Sequence, residues 1–183
     1  MILIVLIVFT GCGQNRITEK EEKKETVESE MNAEVKKTAQ TFRSVYMKEK
    51  SELNTLKVKR KIINCLEEKG YAAVDCDNQI DMVNREKVEE FCKAAEKEEQ
   101  AAVDIVVVFD EGEIIQYHLE SMNGKINVRL CQVKWKDNSP QANYYDEYEA
   151  YEWKYTEKGY LFLEEYHPPG FDGAPGETGF RVQ

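Results

Sequence analysis

Aromatic residues near the C-terminus have the most evident capacity to recognise a ligand. Seven of the ten tyrosines lie within residues 144–166, together with Trp153, and residues 141–166 contain seven acidic residues but two lysines. Aromatic rings beside carboxylates suit the stacking of a sugar ring or a peptide. We therefore predict a glycan or peptide ligand here, although the same rings would also serve as the core of a sheet. The predicted ligand-binding residues are Tyr144, Tyr145, Tyr148, Tyr151, Trp153 and Tyr155.

Patterns for catalysis or metal binding are sparse. His118 and His167 are 49 positions apart, and neither is spaced from cysteines or carboxylates as in a zinc site. The sequence contains no Gly-x-Ser-x-Gly, no phosphate-binding glycine loop and no Cys-x-x-Cys. The segment from Asp75 to Asp81 resembles the start of a calcium loop, but Ile80 occupies the position that requires glycine. The sequence therefore predicts no catalytic residues, no metal and no cofactor.

The N-terminus has a pattern typical of lipid attachment. Residues 2–9 are an unbroken apolar run, too short to cross a bilayer about 30 Å thick as a helix. The run ends in Phe9-Thr10-Gly11-Cys12, which resembles a bacterial lipobox. Small residues admit a peptidase, and the thiol supplies the sulfur for a thioether to a diacylglycerol, whose two acyl chains anchor stably. The alternative is a buried strand that ends in Gly-Cys.

We therefore predict that residues 1–12 are a lipoprotein signal and lipobox and that Cys12 is lipidated. No Lys or Arg precedes the apolar run, which departs from the usual charged start of a signal. Lipidation places the protein on the outer face of the cell membrane, in an extracytoplasmic position. The membrane is then a predicted partner, through the lipid anchor.

Residues 13–30 are dominated by charge. Ten of these eighteen residues are charged and none is aromatic, so the segment has little to bury. We predict a charged, disordered tether. The alternation of Lys with Glu leaves a second interpretation open, in which the segment extends the helix that follows.

Residues 31–183 have the size and apolar content of a single domain with its own core. The formal charge is −10, from 25 basic and 35 acidic residues, and no basic footprint is concentrated anywhere. Phosphate binding needs such a footprint, so the composition argues against a nucleic-acid partner. The sequence does not indicate an oligomeric state.

Helical periodicity begins near Met31 and continues to Gly70, which supplies a helix stop. A further amphipathic helix is predicted over residues 84–99, with Asn84 as its cap. We expect both helical regions to cover one face of a sheet. The apolar stripe of the second region is Val88, Phe91, Cys92 and Ala95.

Apolar runs separated by turn residues predict an antiparallel meander, with Asn123-Gly124 as its strongest hairpin signal. A short strand at residues 71–75, followed by the second helical region, forms a β-α-β unit with the next strand, which favours parallel pairing there. The predicted fold class is α+β, with N-terminal helices packed on a mainly antiparallel β-meander of five to six strands. The predicted meander strands are residues 102–109, 113–120, 125–136, 147–155 and 160–166.

One predicted strand changes the phase of its alternation. Ile126, Val128 and Leu130 share one face, whereas Cys131, Val133 and Trp135 share the other. We predict a β-bulge or a bend near residues 130–132. Three consecutive valines at residues 106–108 indicate a central strand that is covered on both faces.

The cysteines other than Cys12 allow two interpretations. Four such cysteines in an exported chain permit three disulfide connectivities. However, Cys65 and Cys92 lie on apolar helix stripes, where cysteine serves as a small core residue. We favour free thiols. The four are Cys65, Cys76, Cys92 and Cys131.

Three stretches resemble the motifs of a known family. They are EKGYAAVD at residues 68–75, NQIDM at residues 78–82 and WKYTEKGYLF at residues 153–162. They look like motifs of a family of uncharacterised lipoproteins, a domain of unknown function, from Gram-positive anaerobic bacteria. The resemblance covers roughly residues 56–183. It implies a lipoprotein with a longer parent chain, and it implies no activity and no site residues.

Two functions stay open at the level of sequence. The first is a lipid-anchored surface module that binds or scaffolds. The second is a cell-envelope hydrolase that acts on glycan or peptide, with part of its site in missing sequence; convergent titratable residues in one pocket would favour it. Residues 167–179 have the composition of a loop, and a strand-like run then starts at Phe180. We therefore expect residues 31–183 to be a single α+β domain truncated at its C-terminus.

Overall fold

A computed structural model of the protein describes residues 14–77, 81–165 and 177–182. Cys12 and His167 therefore lie outside the described residues. In this part of the chain the helices are α1 Gln14–Gln40, α2 Arg43–Lys48, α3 Leu56–Glu68 and α4 Arg85–Glu96. The strands are β1 Ala72–Asp75, β2 Ala101–Val108, β3 Ile114–Met122, β4 Lys125–Lys136, β5 Ser139–Glu149, β6 Glu152–Tyr155, β7 Tyr160–Glu164 and β8 Glu177–Arg181.

The strands form two sheets. The larger has the order β1-β2-β3-β4-β5, in which β1 is parallel to β2 and the other pairs are antiparallel. The smaller is antiparallel with the order β6-β7-β8. The predicted α+β class, with a mainly antiparallel sheet, is confirmed, and so is the parallel β1-α4-β2 unit.

Each face of the larger sheet has its own core. Helices α1 to α3 cover one face, with Phe42, Ile62 and Leu66 fully buried against Val106 and Val108. Helix α4 and the smaller sheet cover the opposite face. The expectation that both helical regions share one face was therefore wrong. Periodicity shows that a helix is amphipathic, but it does not show which face of the sheet the helix covers.

Coverage of both faces also explains the phase change in β4. Ile126 and Val128 contact the core beneath α4 and the smaller sheet, whereas Cys131 and Val133 contact the core beneath α1 to α3. The pairing of β4 with β3 is continuous through this point. A register shift does occur beside Gln132 and Val133, but its extra residue lies in β5. Both faces of β4 are covered, so the strand can bury Ile126 and Val128 on one face and Cys131 and Val133 on the other without containing a bulge.

The C-terminal half of the meander differs from the prediction. Residues 147–155 were expected to form one strand, but they end β5 and form β6 in separate sheets. The chain passes between the sheets at two successive residues, because Ala150 N–H donates to Ile126 and Tyr151 N–H donates to Glu164. Strand β5 lacks clear apolar alternation because it is an edge strand with much of its surface exposed.

Helix α1 replaces much of the predicted disordered tether. It begins at Gln14, and residues 14–40 contain neither Gly nor Pro and are rich in good helix formers. Its second half buries Met31, Val35 and Ala39 in the core, which anchors the helix to the domain. This helix has the form expected of the second interpretation, in which the segment extends the helix that follows. None of the helices in the described residues is both long and apolar enough to cross a membrane.

Candidate functional site

A cleft of about 620 Å³ lies along the first half of β2. Ala72, the first residue of β1, pairs with Ile105, so residues 101–104 extend beyond β1. These four residues pair with β3 along one edge, and they line the cleft along the other. The volume lies in the range of roughly 300–1,000 Å³ that is usual for ligand sites. We call this cleft the β2 slot.

Backbone groups of Ala102 point into the β2 slot. The N–H of Cys76 donates to the carbonyl of Val108 at 3.0 Å, so even-numbered residues of β2 direct their backbone groups towards β1. Ala101 points the other way, because its N–H donates to Ser121 Oγ on β3 at 3.0 Å. Backbone direction alternates along a strand, and Ala102 therefore turns its N–H and C=O to the slot. Among the described residues no strand lies opposite it there.

The end of α3 determines where β1 begins and therefore leaves the slot open. Gly70 has a φ of +83°, and Tyr71 N–H donates back to the carbonyl of Leu66 at 3.1 Å. This arrangement is a Schellman ending, for which the left-handed glycine is suited. The side-chain amide of Asn84 donates to the carbonyl of Tyr71 at 2.8 Å. Asn84 thus fixes the entry to β1, although it makes no side-chain cap for α4 as the sequence had predicted.

The two sides of the slot differ in chemistry. The side chains of Ala102 and Asp104 lie on the same face of β2 as that of Val106, which packs beneath α1 to α3. They therefore face α1, where Glu34 also lines the slot. Val103 faces the opposite core, where Phe91 and Ala94 of α4 complete the lining. The α1 side is therefore acidic. The α4 side combines the apolar Phe91 and Ala94 with the exposed, charged side chains of Lys87 and Glu90.

A buried amide connects the acidic groups of the slot. Gln116 is fully buried, and its Nε2 lies 3.3 Å from Asp104 Oδ1 and 3.5 Å from Glu34 Oε1. Its carbonyl accepts a hydrogen bond of 2.7 Å from the buried hydroxyl of Thr38. Because a buried amide must be satisfied, this network fixes the positions of both carboxylates relative to β3.

His118 is held between two carboxylates next to the slot. Its Nδ1 lies 2.9 Å from Asp104 Oδ1, and its Nε2 lies 3.3 Å from Glu120 Oε1. Arg129 also pairs with Glu120, at 2.9 Å. The hydrogen bond to Asp104 raises the pKa of His118, against the opposing effect of burial. With both ring nitrogens directed at carboxylates, the imidazole acts as an ion-pair partner.

Comparison with known proteins identifies the family of this chain. A family model described as Family of unknown function (DUF6070) matches residues 24–183. The chain belongs to this family. No curated protein and no solved structure matched it. Membership of a family of unknown function agrees with the resemblance seen in the sequence and extends its coverage upstream, from about residue 56 to residue 24.

In this DUF6070 domain the segment Asp75-Cys76-Asp77, which the sequence analysis compared with the start of a calcium loop, lies close to the side chain of Lys59. The ligand atoms of these three residues lie within 4.8 Å of one another. The ammonium of Lys59 lies 2.5 Å from Asp77, 3.8 Å from Asp75 and 2.7 Å from Asp110. Burial by itself lowers the pKa of Lys59, but the hydrogen bonds that its ammonium donates to Asp110 and Asp77 raise this pKa above the ordinary value. The lysine therefore stays charged and supplies the cation of this cluster.

The four cysteines of the described residues are free thiols. Burial raises the pKa of Cys92 to about 12 and that of Cys131 to about 11. Burial also raises the pKa values of Cys65 and Cys76. A nucleophilic cysteine requires the opposite shift, because the thiolate is the reactive form. These residues therefore behave as core and packing groups at neutral pH.

The structure does not gather the predicted tyrosines of β5 on one surface. Tyr144 is exposed and donates to Asp146 at 3.2 Å, whereas Tyr145 donates to Glu147 at 3.0 Å. Adjacent strand residues point to opposite faces, so these two tyrosine-carboxylate pairs lie on opposite sides of the sheet. Tyr148 packs against the core beneath α4 and the smaller sheet.

The remaining predicted aromatic residues lie beside or within the smaller sheet. Tyr151 precedes β6 and is 58% exposed. Trp153 and Tyr155 are half-buried against the core, and Trp153 Nε1 donates to the carbonyl of Gly124 at 2.9 Å. Their contacts are those of core residues, and ligand binding by the six aromatic residues stays a prediction.

A second cleft, of about 350 Å³, has aromatic rings in its lining that are already in contact with each other. Tyr46 stacks on Trp135 with a centroid distance of 3.9 Å, and the Lys50 ammonium lies 5.5 Å from the Tyr46 ring. A Cβ on Gly112 would come within 3.0 Å of Tyr46, so the loop also presses on this ring. The rings are therefore largely occupied by internal contacts.

Sequence reasoning missed the residues of the β2 slot. Neither Glu34 nor Asp104 was singled out by the sequence patterns. The available signal was the pair Ala101-Ala102 at the start of β2, since small residues leave room beside a strand. The offset between β1 and β2, which opens the slot, cannot be seen in the sequence.

We predict that His118 contributes a pH-dependent part of stability. Its pKa is raised in the folded protein, so this contribution is fully present below the ordinary value of about 6.5 and is lost as pH rises through the folded value. The unfolding free energy of His118→Gln, measured by urea titration from pH 5 to pH 9, should therefore fall furthest below wild type at the acidic end. A difference that is constant across this range would contradict the assignment.

Proposed function

We propose that this protein is a lipid-anchored, extracytoplasmic binding module that takes an extended peptide into the β2 slot as an added strand. The observation that carries the proposal is the free edge of β2, with the backbone of Ala102 directed into a cleft. An exposed sheet edge offers main-chain hydrogen bonds, and peptide backbones complement it in β-strand addition. Of the two predicted ligand classes, glycan and peptide, this edge favours peptide.

The slot lies where a neighbouring strand would pair with residues 101–104 of β2. It continues the line of β1 beyond the start of that strand at Ala72, and helices α1 and α4 contribute residues to its two sides. Four residues of β2 span about 13 Å at roughly 3.3 Å per residue. A segment of about four residues would therefore complete the sheet beside β2, with its alternate side chains directed towards α1 and α4.

Lipid attachment is supported by the sequence of the N-terminus and is compatible with the fold. Helix α1 begins two residues after Cys12, and Met31 is its first buried residue among those whose side chains the structure describes. The first seventeen residues of α1 would span about 25 Å at 1.5 Å per residue. We propose that this half of the helix separates the domain from the membrane surface, as the predicted tether would have done.

The hydrolase alternative requires a nucleophile or acid beside a general base. In the described residues, Lys59 forms charge pairs with aspartates, and His118 does so with Asp104 and Glu120. The carboxylates of Glu34 and Asp104 also converge in the slot, where they share the amide of Gln116. No observation specifically favours hydrolysis over binding, so binding is the function that we propose.

Peptide binding should depend on alternate backbone amides. We expect a hexapeptide of alternating alanine and glutamine to bind the full chain in detergent micelles and to slow hydrogen exchange at the Ala102 amide. Only every second amide of a strand faces its neighbour, so N-methylation of one alternate set should weaken binding at least tenfold while the other set tolerates it. Equal effects of the two sets would contradict strand addition.

A pair of variants at Ala102 gives a matched control. Ala102→Pro removes the N–H that points into the slot without removing a bond to β3, and proline is tolerated on strand edges. It should abolish peptide binding, whereas Ala102→Val, which retains the N–H, should not. Calorimetry measures the binding, and circular dichroism verifies that both variants are folded.

Lipid attachment is tested at Cys12. In a Gram-positive host fed a labelled fatty acid, the wild-type protein should incorporate label and partition into detergent, and Cys12→Ala should do neither. The reason is that the thioether sulfur comes from this thiol. Unchanged partitioning of Cys12→Ala, together with an unlabelled wild type, would show that the protein is held by other means or is not anchored.

A further inference from the structure

We propose that the β2 slot selects peptides that place a lysine or arginine side chain on the α1 side, between Glu34 and Asp104. This inference rests on the proposed strand addition and specifies its ligand. It concerns the side chains of the added strand, whereas the proposed function concerns its backbone. A basic residue would alternate with a small apolar residue in the selected peptides.

The two carboxylates are close neighbours at the slot. Both contact the same buried amide nitrogen of Gln116, at 3.3 Å for Asp104 and 3.5 Å for Glu34. Gln116 itself cannot neutralise them, because an amide carries no charge. Two carboxylates held near each other repel, and a cation between them relieves that repulsion while gaining attraction to both.

Each carboxylate has an oxygen left for a ligand. The hydrogen bonds of Asp104 within the described residues all involve Oδ1, and that of Glu34 involves Oε1. Asp104 is 29% exposed and Glu34 is exposed, so both can be reached from the slot. In the part of the chain that the structure describes, no lysine or arginine forms an ion pair with either residue. His118 pairs with Asp104 through Oδ1, which leaves Oδ2 of Asp104 and the carboxylate of Glu34 for the cation of a ligand.

The basic residues that line the slot lie away from this pair. Lys87 belongs to α4, and its ammonium donates to the carbonyl of Gly70. Lys69 lies at the end of α3 and is exposed. The α4 side of the slot is formed by Phe91 and Ala94, next to Val103 of β2. A side chain directed to Phe91 and Ala94 is therefore expected to be apolar. Glu90 of α4 also lines this side of the slot and is exposed.

The acidic character of the whole chain supports the same selection. The formal charge is −10, so a basic peptide is attracted from a distance and an acidic peptide is repelled. This general attraction decreases with salt, because exposed charges are screened beyond a Debye length of about 10 Å at 0.1 M. Local recognition by Glu34 and Asp104 should persist in part at 0.3 M salt, which separates the two contributions.

The test compares three hexapeptides in which alanine alternates with lysine, glutamine or glutamate. Against the full chain in detergent micelles at 0.3 M salt, the lysine peptide should bind at least tenfold more tightly than the glutamine peptide, and the glutamate peptide should bind more weakly than both. Glu34→Gln should remove most of the preference for lysine. Glu30→Gln, the same change one turn earlier on an exposed part of α1, should leave the preference intact.

The outcomes separate the selectivity from the function on which it rests. Equal binding of the lysine and glutamine peptides, with sensitivity to N-methylation retained, overturns the selectivity and leaves strand addition standing. A lysine preference that survives Glu34→Gln unchanged overturns the assignment to this carboxylate pair. Failure of all three peptides to bind overturns both the selectivity and the proposed function.

Discussion

Replacement of Phe91 by alanine is expected to reduce the free energy of unfolding by about 3 to 5 kcal/mol. Phe91 lies on the apolar stripe of α4 and is 2% exposed. It belongs to the core that α4 shares with the larger and smaller sheets. Removal of the ring loses its transfer free energy and leaves a cavity, which rigid strands on one side and a helix on the other cannot close. Urea or thermal unfolding followed by circular dichroism measures the loss.

Leu56 provides a control for the same type of measurement. It is the first residue of α3 and is 52% exposed. Leu56→Ala should change stability by about 0.5 kcal/mol or less, because little apolar surface is returned to water. If Phe91→Ala destabilised the protein no more than Leu56→Ala does, α4 would contribute little to the core, and its position against the sheet would be wrong.

Local features of the fold were predictable because they depend on a few adjacent residues. The Asn123-Gly124 turn joins β3 to β4, with φ values of +53° and +76°. Gly112 and Gly159 adopt the positive φ that their loops require, at +72° each. The amphipathic stripe of α4 was also visible, because apolar residues recur with the helical period. Residues that are adjacent or nearly adjacent in the sequence determine these features.

Strand β5 shows where local pattern fails. Its turn, Asp137-Asn138, has φ values of +49° and +64° but lacks the glycine that usually marks such a hairpin. Its residues alternate poorly because an edge strand buries little on either face. The pairing with β4, which is already specified on its other edge by β3, holds the strand in place. The sequence placed a strand at residues 147–155, whereas the tyrosines at residues 144–148 belong to β5, which runs over Ser139–Glu149.

The candidate site depends on relations between distant residues. Glu34 approaches Asp104 only because α1 packs on the face of the sheet to which even-numbered residues of β2 point. The slot exists only because β1 begins opposite Ile105, four residues into β2. Strand register, and the face of the sheet that a helix covers, depend on contacts throughout the core. They cannot be read from a short stretch of sequence.

Lys59 was also missed, and its loss should be as damaging as that of Phe91. It occupies a position on α3 beside Ile62, Ile63 and Leu66, where the helical period predicts an apolar side chain. Lys59 is 2% exposed and Asp75 is 3% exposed. Lys59→Met keeps the length of the stem but removes the charge, so Asp75 stays buried without its cation. We expect a loss of about 3 to 5 kcal/mol in unfolding free energy at pH 7.

Arg60 is the matched control for the loss of a long basic side chain. It is the next residue on α3, and its ion pair with Asp81 at 3.0 Å is largely exposed. Arg60→Met should cost less than about 1 kcal/mol, as surface ion pairs generally do. Similar losses in the two variants would show that helix propensity or stem packing, and not the buried charge, controls the effect.

A double variant tests whether the loss at Lys59 comes from the uncompensated carboxylate. Asp75→Asn removes that charge but keeps the Oδ1 that accepts a hydrogen bond from Asp77 N–H at 2.9 Å. The combination of Lys59→Met with Asp75→Asn should therefore be more stable than Lys59→Met alone, and its loss should be smaller than the sum of the two single losses. Strictly additive losses would mean that Lys59 and Asp75 do not interact energetically. The stability of Lys59→Met would then have to be explained by Asp110 and Asp77, whose contacts with the ammonium are shorter but more exposed.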